Sequence, residues 1–340
     1  MEHQITYLKK GVQFSLVMLM LLVAGCKKDK GEPPIVAPLD DNSLPSAAIL
    51  KIAVIEKAAD HLRFRMDLAV FRDSKNIEDN LKASNFSIDS LSLYGYTANF
   101  RNDLTQLVNG GNAVDYSALM LMDQSGSISG TDPDDYRLDA AKIFCSNLGA
   151  NNNVALWSFA GYSYEQLLAF TTDTAKVISE IEKLRGEEGG GTPLYESQYD
   201  AIDFVKSNGT KANRAVLTFT DGEDTNGGKT SEEVVQRAKD QQVFLYNIGL
   251  GDVSTDLLLD QAVTTGGAFM YAKDARQLIS IFGNLGKLLT NTAIYYQTEW
   301  TISGKDSKTL FEGTGNIEHE IKITFPFGGE IAVPFSFGYE

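Results

Sequence analysis

Ala118-Leu119-Met120-Leu121-Met122-Asp123-Gln124-Ser125-Gly126-Ser127 is the stretch whose reading decides the fold. Five apolar residues in a row suit a short strand buried on both faces. A carboxylate and two hydroxyls then follow at alternate positions of a tight loop, where Gly126 is expected to ease the turn. Downstream the same pattern recurs. Helical periodicity covers 133–148, 174–184, 194–206, 231–240, 255–263 and 274–289, and apolar runs at 154–159, 215–219, 243–248 and 268–271 alternate with it. Short continuous strands between amphipathic helices predict an α/β segment over 113–291, with a mainly parallel sheet covered on both faces. Ligands of such sheets sit at the carboxyl ends of the strands.

Two further segments fall at that edge. Gly189-Gly190-Gly191-Thr192-Pro193-Leu194 sets a hydroxyl just ahead of a helix, and Thr220-Asp221-Gly222-Glu223-Asp224 follows the 215–219 strand directly. With the first loop they offer two carboxylates and three hydroxyls. An all-oxygen set suits a hard divalent cation, Mg²⁺ first and Mn²⁺ or Ca²⁺ as alternatives, rather than zinc or copper. The glycine run is no phosphate-binding loop, because no Gly-Lys-Ser/Thr follows it. Asp224 and Asn226 lack the glycine and terminal Glu spacing of an EF-hand.

The order Asp-x-Ser-x-Ser, Thr after a glycine run, and Asp in a Thr-Asp-Gly turn resembles a von Willebrand factor type A (vWA) domain with an intact metal-ion-dependent adhesion site (MIDAS). The resemblance spans 113–291 and implies a Rossmann-like sheet with Asp123, Ser125, Ser127, Thr192 and Asp221 as the metal residues. It implies that the serines, and sometimes the threonine, coordinate directly, while the aspartates often act through water. It also implies a protein partner that offers an Asp or Glu carboxylate to the metal. The physics agrees: two carboxylates balance one divalent cation, and weakly donating hydroxyls leave that cation electrophilic. Glu187, Glu188, Glu223 and Asp224 are expected on the solvated rim, with tuning of partner choice by Glu187 and Glu188, through repulsion of acidic surfaces, as the lesser alternative.

The flanks alternate with period two. Leu50, Ile52 and Val54 form one stripe, Leu62 to Val70 another, and 86–93 a third; at the far end come Tyr296, Trp300 and Ile302, then Ile321 to Phe327, then Ile331 to Phe337. Three strands at each end would leave apolar faces in water, so 47–112 and 292–340 are expected to pair as a β-sandwich-like unit into which the α/β segment is inserted. Asp132 with Pro133 reads as an N-cap followed by the first helical residue.

Lys9, Lys10, an apolar run over 16–24 and Val23-Ala24-Gly25-Cys26 mark 1–25 as a secretory leader; the run is too short to span a bilayer, which takes roughly 20 residues. The string ending in Cys26 resembles the lipobox of bacterial lipoproteins, which implies an acylated Cys26 and a lipid anchor. Residues 26–46, with Pro33, Pro34, Pro38 and Pro45, read as an extended tether. These features imply a bacterial envelope protein, at the outer membrane or cell surface.

The chain has 340 residues and a formal net charge of -15, which disfavours nucleic-acid backbones as partners. Two cysteines, one of them expected to carry lipid, leave Cys145 as a core thiol rather than half of a disulfide. Three histidines are too few for a His-rich metal site, and none falls near the three segments. A binding module without turnover is therefore expected. A structural role in an envelope complex is the alternative, and a metal-dependent hydrolase with Glu223 as its base a more distant one.

Overall fold

A computed structural model describes residues 43–305 and 308–340. Residues 1–42 carry the leader, Cys26 and most of the tether, so those expectations lie outside the described residues. The elements in chain order are β1 (Ser46–Lys57), β2 (His61–Phe71), β3 (Phe86–Ser87), β4 (Leu91–Leu93), β5 (Tyr96–Val108), β6 (Tyr116–Asp123), α1 (Ile128–Thr131), α2 (Tyr136–Ser146), β7 (Asn153–Ala160), β8 (Ser163–Thr171), α3 (Thr174–Glu182), α4 (Leu194–Asn208), β9 (Asn213–Thr220), α5 (Ser231–Gln241), β10 (Phe244–Leu250), α6 (Thr255–Thr265), β11 (Ala268–Ala272), α7 (Gln277–Leu289), β12 (Tyr295–Gly304), β13 (Gly315–Thr324) and β14 (Glu330–Tyr339).

One large sheet runs β4-β5-β12-β2-β1-β11-β10-β9-β6-β7-β8. Its α/β half is parallel from β11 to β7, and β8 closes that edge antiparallel to β7. Every residue of β6 is buried, as an apolar run covered on both faces requires. On one face α2, α3 and α7 pack over Met120, Leu156 and Ile248. On the other, α4, α5 and α6 pack over Leu119, Leu121 and Val216.

Strands from the two ends of the chain do meet: β12 lies between β2 and β5. They continue the α/β sheet, through β1 antiparallel to β11, where a unit of their own was expected. The second layer is a small sheet, β14-β13-β3. Phe335 and Phe337 of β14 pack on Phe64 of β2, with ring centroids 5.9 and 4.7 Å away, and Phe86 packs on Tyr296 at 5.2 Å. The expected stripe over 86–93 divides between the sheets, β3 joining the small one and β4 the large one.

Helix α7 is fastened to the strand extension. Asn284 Nδ2 donates to the Asp73 carbonyl at 2.7 Å, and Ser46 and Ser280 hydroxyls lie 2.7 Å apart. Gly283 permits this approach, since a Cβ there would lie 2.1 Å from the Ser74 carbonyl oxygen. Cys145 is wholly buried in α2, and burial pushes its thiol up to about 12.

Candidate metal centre

Parallel pairing of β6 with β9 brings Met122 beside Phe219, so both strands end at one edge with Asp123 and Thr220 as their last residues. Asp123 is fully buried; its Oδ1 accepts from the Ser125 amide at 2.7 Å and its Oδ2 from the Thr220 hydroxyl at 2.7 Å. Ser125 and Ser127 hydroxyls are 3.1 Å apart, and Ser127 Oγ donates to Asp221 Oδ1 at 2.7 Å. The Thr131 hydroxyl donates to the other Asp221 oxygen. A Cβ placed on Gly222 would lie 3.8 Å from Ser127 Oγ and 3.9 Å from Thr192 Oγ1, so the glycine-run segment brings its hydroxyl alongside the same turn. The structure thus gathers Asp123, Ser125, Ser127, Thr192 and Asp221.

Burial raises the Asp123 carboxyl to about 6, and the Asp221 charge adds to that rise against the hydrogen bonds from Ser125 and Thr220. No cationic side chain figures among the groups acting on it. Among the described residues no group of three or more His, Cys, Asp or Glu side chains is placed to hold a metal ion, so the donors here are hydroxyls joined to two carboxylates. Such a set fits a hard divalent cation: it is all oxygen, and among the described residues no Lys, Arg or His forms an ion pair with either carboxylate.

The rim residues differ from one another. Glu187 and Glu223 are exposed, and Glu223 accepts from Ser254 Oγ at 2.7 Å. Asp224 faces inward along its loop, accepting from the Tyr195 amide at 3.2 Å and the Gly227 amide at 2.9 Å. The carboxylate of Glu188 pairs with the buried Arg137 guanidinium rather than standing in solvent. Asp132 is buried as well. Its carboxylate accepts from the Tyr136 and Arg137 amides at 2.8 and 3.0 Å, so it caps α2 from outside, with Pro133 ahead of the helix rather than in it. Gly126 has no positive φ, and a Cβ there would find only ordinary contacts at 3.5 Å or more. The glycines that the loops require are Gly190, at φ +78° and against Gly161, and Gly191, where a Cβ would lie 2.9 Å from Thr225 Oγ1.

Sequence reasoning passed over Thr131, Thr220, Thr225 and Arg137. Thr220 was legible as the residue before Asp221. The other three act across long separations and left no local signal.

Residues 119–284 match the family model described as von Willebrand factor type A domain. No curated protein sequence matches the chain. Among solved structures, proximal thread matrix protein 1 from the mussel byssus, with a zinc-occupied MIDAS motif, is 19% identical over 56% of this chain and 49% of that one, at a TM-score of 0.46. A von Willebrand factor type A protein from Catenulispora acidiphila is 11% identical over 87% and 74%, at 0.42. The pilus adhesin SpaC from Lactobacillus rhamnosus GG is 10% identical over 87% and 48%, at 0.43. The chain spans about half the length of the mussel structure. The family match supports a divalent cation at an adhesion site of this kind, and residues 119–284 of this chain are a von Willebrand factor type A domain.

Proposed function

We propose that this chain is a non-catalytic module that binds a protein partner through a divalent cation, on a lipid-anchored protein of a bacterial envelope. The carrying observation is the meeting of the Ser125 and Ser127 hydroxyls with Asp123 and Asp221, beside Thr192, at two carboxylates that pair with no Lys, Arg or His among the described residues. Asp123 and Asp221 would balance the ion's charge, and Ser125, Ser127 and Thr192 would add neutral oxygens. Mg²⁺ is the proposed ion, since hard oxygen donors suit it. When bound, it supplies an electrophilic position for a partner's Asp or Glu carboxylate.

The rim favours a particular surround for that carboxylate. Exposed Glu187 and Glu223 disfavour an acidic neighbourhood and favour basic residues flanking the partner's acid. Tyr162 is 94% exposed at the turn beyond β7, whose Phe159 pairs with Asp123. An aromatic ring of this kind is a common anchor of protein interfaces. Neither described histidine stands at this edge: His61 is on β2, held by Asp60 and Glu56, and His319 is on β13 beside the Asp89 carbonyl. That supports binding over hydrolysis.

The test is capture from envelope extract in magnesium and in chelator, alongside calorimetry of chelator-treated protein with Mg²⁺, Mn²⁺ and Ca²⁺. Capture in magnesium, lost in chelator and in Asp221→Ala with unchanged circular dichroism, is the expected result. Lost thermal stability in Asp221→Ala with capture intact would establish the structural role instead. Failure to take up any of the three ions at millimolar concentration overturns the cation reading.

A further inference from the structure

A buried guanidinium is costly unless its N–H groups are hydrogen-bonded. Arg137 on α2 is fully buried and meets that demand at the metal centre's flank. Its Nε and Nη2 donate to Gln124 Oε1 at 3.2 and 2.7 Å, and Nη2 also donates to Glu188. Its Nη1 donates to Asp132 Oδ2 at 3.2 Å and Asp135 Oδ1 at 2.6 Å. Gln124 sits between Asp123 and Ser125, and Glu188 opens the glycine run that ends at Thr192. The two loops also touch through their backbones: the Gly189 amide donates to the Gln124 carbonyl at 2.9 Å, and the Gly126 amide to the Gly190 carbonyl at 3.0 Å.

We propose that Arg137 is the positioning residue of the metal centre, fastening the loop that carries Ser125 and Ser127 to the loop that carries Thr192. The proposal rests on the cation reading given above. A planar fork can serve several acceptors on both loops at once, which an ammonium cannot. Arg137 has three carboxylate partners, and Arg185 shares one of them, with its Nη1 3.0 Å from Asp135 Oδ2. Packing alone would be served by an apolar side chain of similar volume, because a buried ion cluster adds little stability over one.

The experiment compares the unmodified chain with Glu188→Ala, Glu188→Gln and Arg137→Lys. Each is titrated with Mg²⁺ after chelation, and amide hydrogen exchange is followed in chelator. Glu188→Ala acts at the periphery of the cluster, where the side chain keeps 12% exposure, so it tests the idea even if Arg137→Lys does not fold. Expected are five- to twentyfold weaker Mg²⁺ binding and at least tenfold faster exchange at Gly126 and Gly189, with exchange in β6 and β9 unchanged. Glu188→Gln, which restores a neutral acceptor, should recover part of both. Binding within twofold of the unmodified chain and unchanged loop exchange in Glu188→Ala would overturn the proposal. Faster exchange throughout the sheet would also overturn it, because that marks a merely structural role. If the unmodified chain takes up no cation, the proposed function falls, and this inference with it.

Discussion

Thr225 holds the backbone of Thr192 from both directions: the Thr192 amide donates to Thr225 Oγ1 at 2.8 Å, and the Thr192 carbonyl accepts from the Thr225 amide at 3.0 Å. The turn after β9 therefore fixes more than Asp221. It reaches back to the glycine-rich loop, and its Asp224 accepts from the Tyr195 amide in the first turn of α4. Two of the three segments of the candidate metal centre are thus one mechanical unit.

Removing only the Thr225 hydroxyl, as in Thr225→Val, should loosen Thr192 without disturbing the sheet. One hydrogen bond contributes about 0.5–1.5 kcal/mol net. Magnesium affinity should accordingly fall about two- to twelvefold, by the same energy scale, with a melting temperature close to that of the unmodified chain. Calorimetry reads the first and a thermal melt the second. Unchanged affinity would count against the coupling.

Gly190 and Gly126 face each other across the loops but should respond differently to alanine. At Gly190 the backbone sits at φ +78°, and a Cβ would lie 2.7 Å from the Gly161 Cα, where only backbone can yield. A strained conformation of this kind costs about 1–3 kcal/mol. Gly126→Ala meets nothing closer than 3.5 Å. Urea unfolding should therefore show Gly190→Ala destabilised by about 1–3 kcal/mol and Gly126→Ala by less than about 0.5 kcal/mol. Equal values would mean that the approach to Gly161 is not what selects glycine.

The legible parts of this fold share a physical cause. β6, β9, β10 and β11 are covered on both faces, so each is written as a mainly apolar run, broken by Thr218 in β9 and by Asn247 and Gly249 in β10. The five candidate metal residues lie at the ends of strands or just ahead of a helix, which fixes their edge in advance. β5 and β8 left weaker marks. β8 closes one edge of the sheet, and β5, next to the other edge, has mostly exposed or half-buried side chains, with Leu104 and Leu107 in solvent. Continuity of the terminal strands with the α/β sheet was illegible for a different reason. It depends on two residue pairs, Ala48 with Met270 and Ile49 with Phe269, that no local pattern marks. The same holds for Arg137 and Glu188, 51 residues apart, and for Thr131 and Asp221, 90 apart.

Acid should weaken the pairing of α2 with α3 through Glu182. Hydrogen bonds from Arg185 and then Lys142 hold its carboxyl down at about 2, against an ordinary value of 4.5. A depressed folded value means the unfolded chain binds the proton more tightly. The stabilisation is therefore complete above about pH 4.5 and is lost as pH falls toward 2. Half of the side chain is exposed, so solvent screening keeps the contribution to about 0–1 kcal/mol. Glu182→Gln should lose that amount at pH 7, and the difference from the unmodified chain should vanish near pH 2. A gap that widens in acid would reverse the assignment.

Tyr162 is the exposed side chain whose loss should separate partner binding from cation binding. Its turn is anchored from below: Asn226 Nδ2 donates to the Gly161 carbonyl at 2.6 Å, and Gly190 packs against Gly161. The ring itself is 94% exposed and supports nothing in the fold. Tyr162→Ala should therefore leave both the melting temperature and the magnesium titration unchanged. If a partner docks its acidic residue on the cation, the ring lies within its footprint, and truncating an aromatic anchor costs about 1–3 kcal/mol of binding. Capture of such a partner in magnesium should then drop by about five- to a hundredfold, on that energy scale. Full capture by Tyr162→Ala, with Asp221→Ala inactive, would confine the interface to the opposite rim, around Glu223 and Ser254.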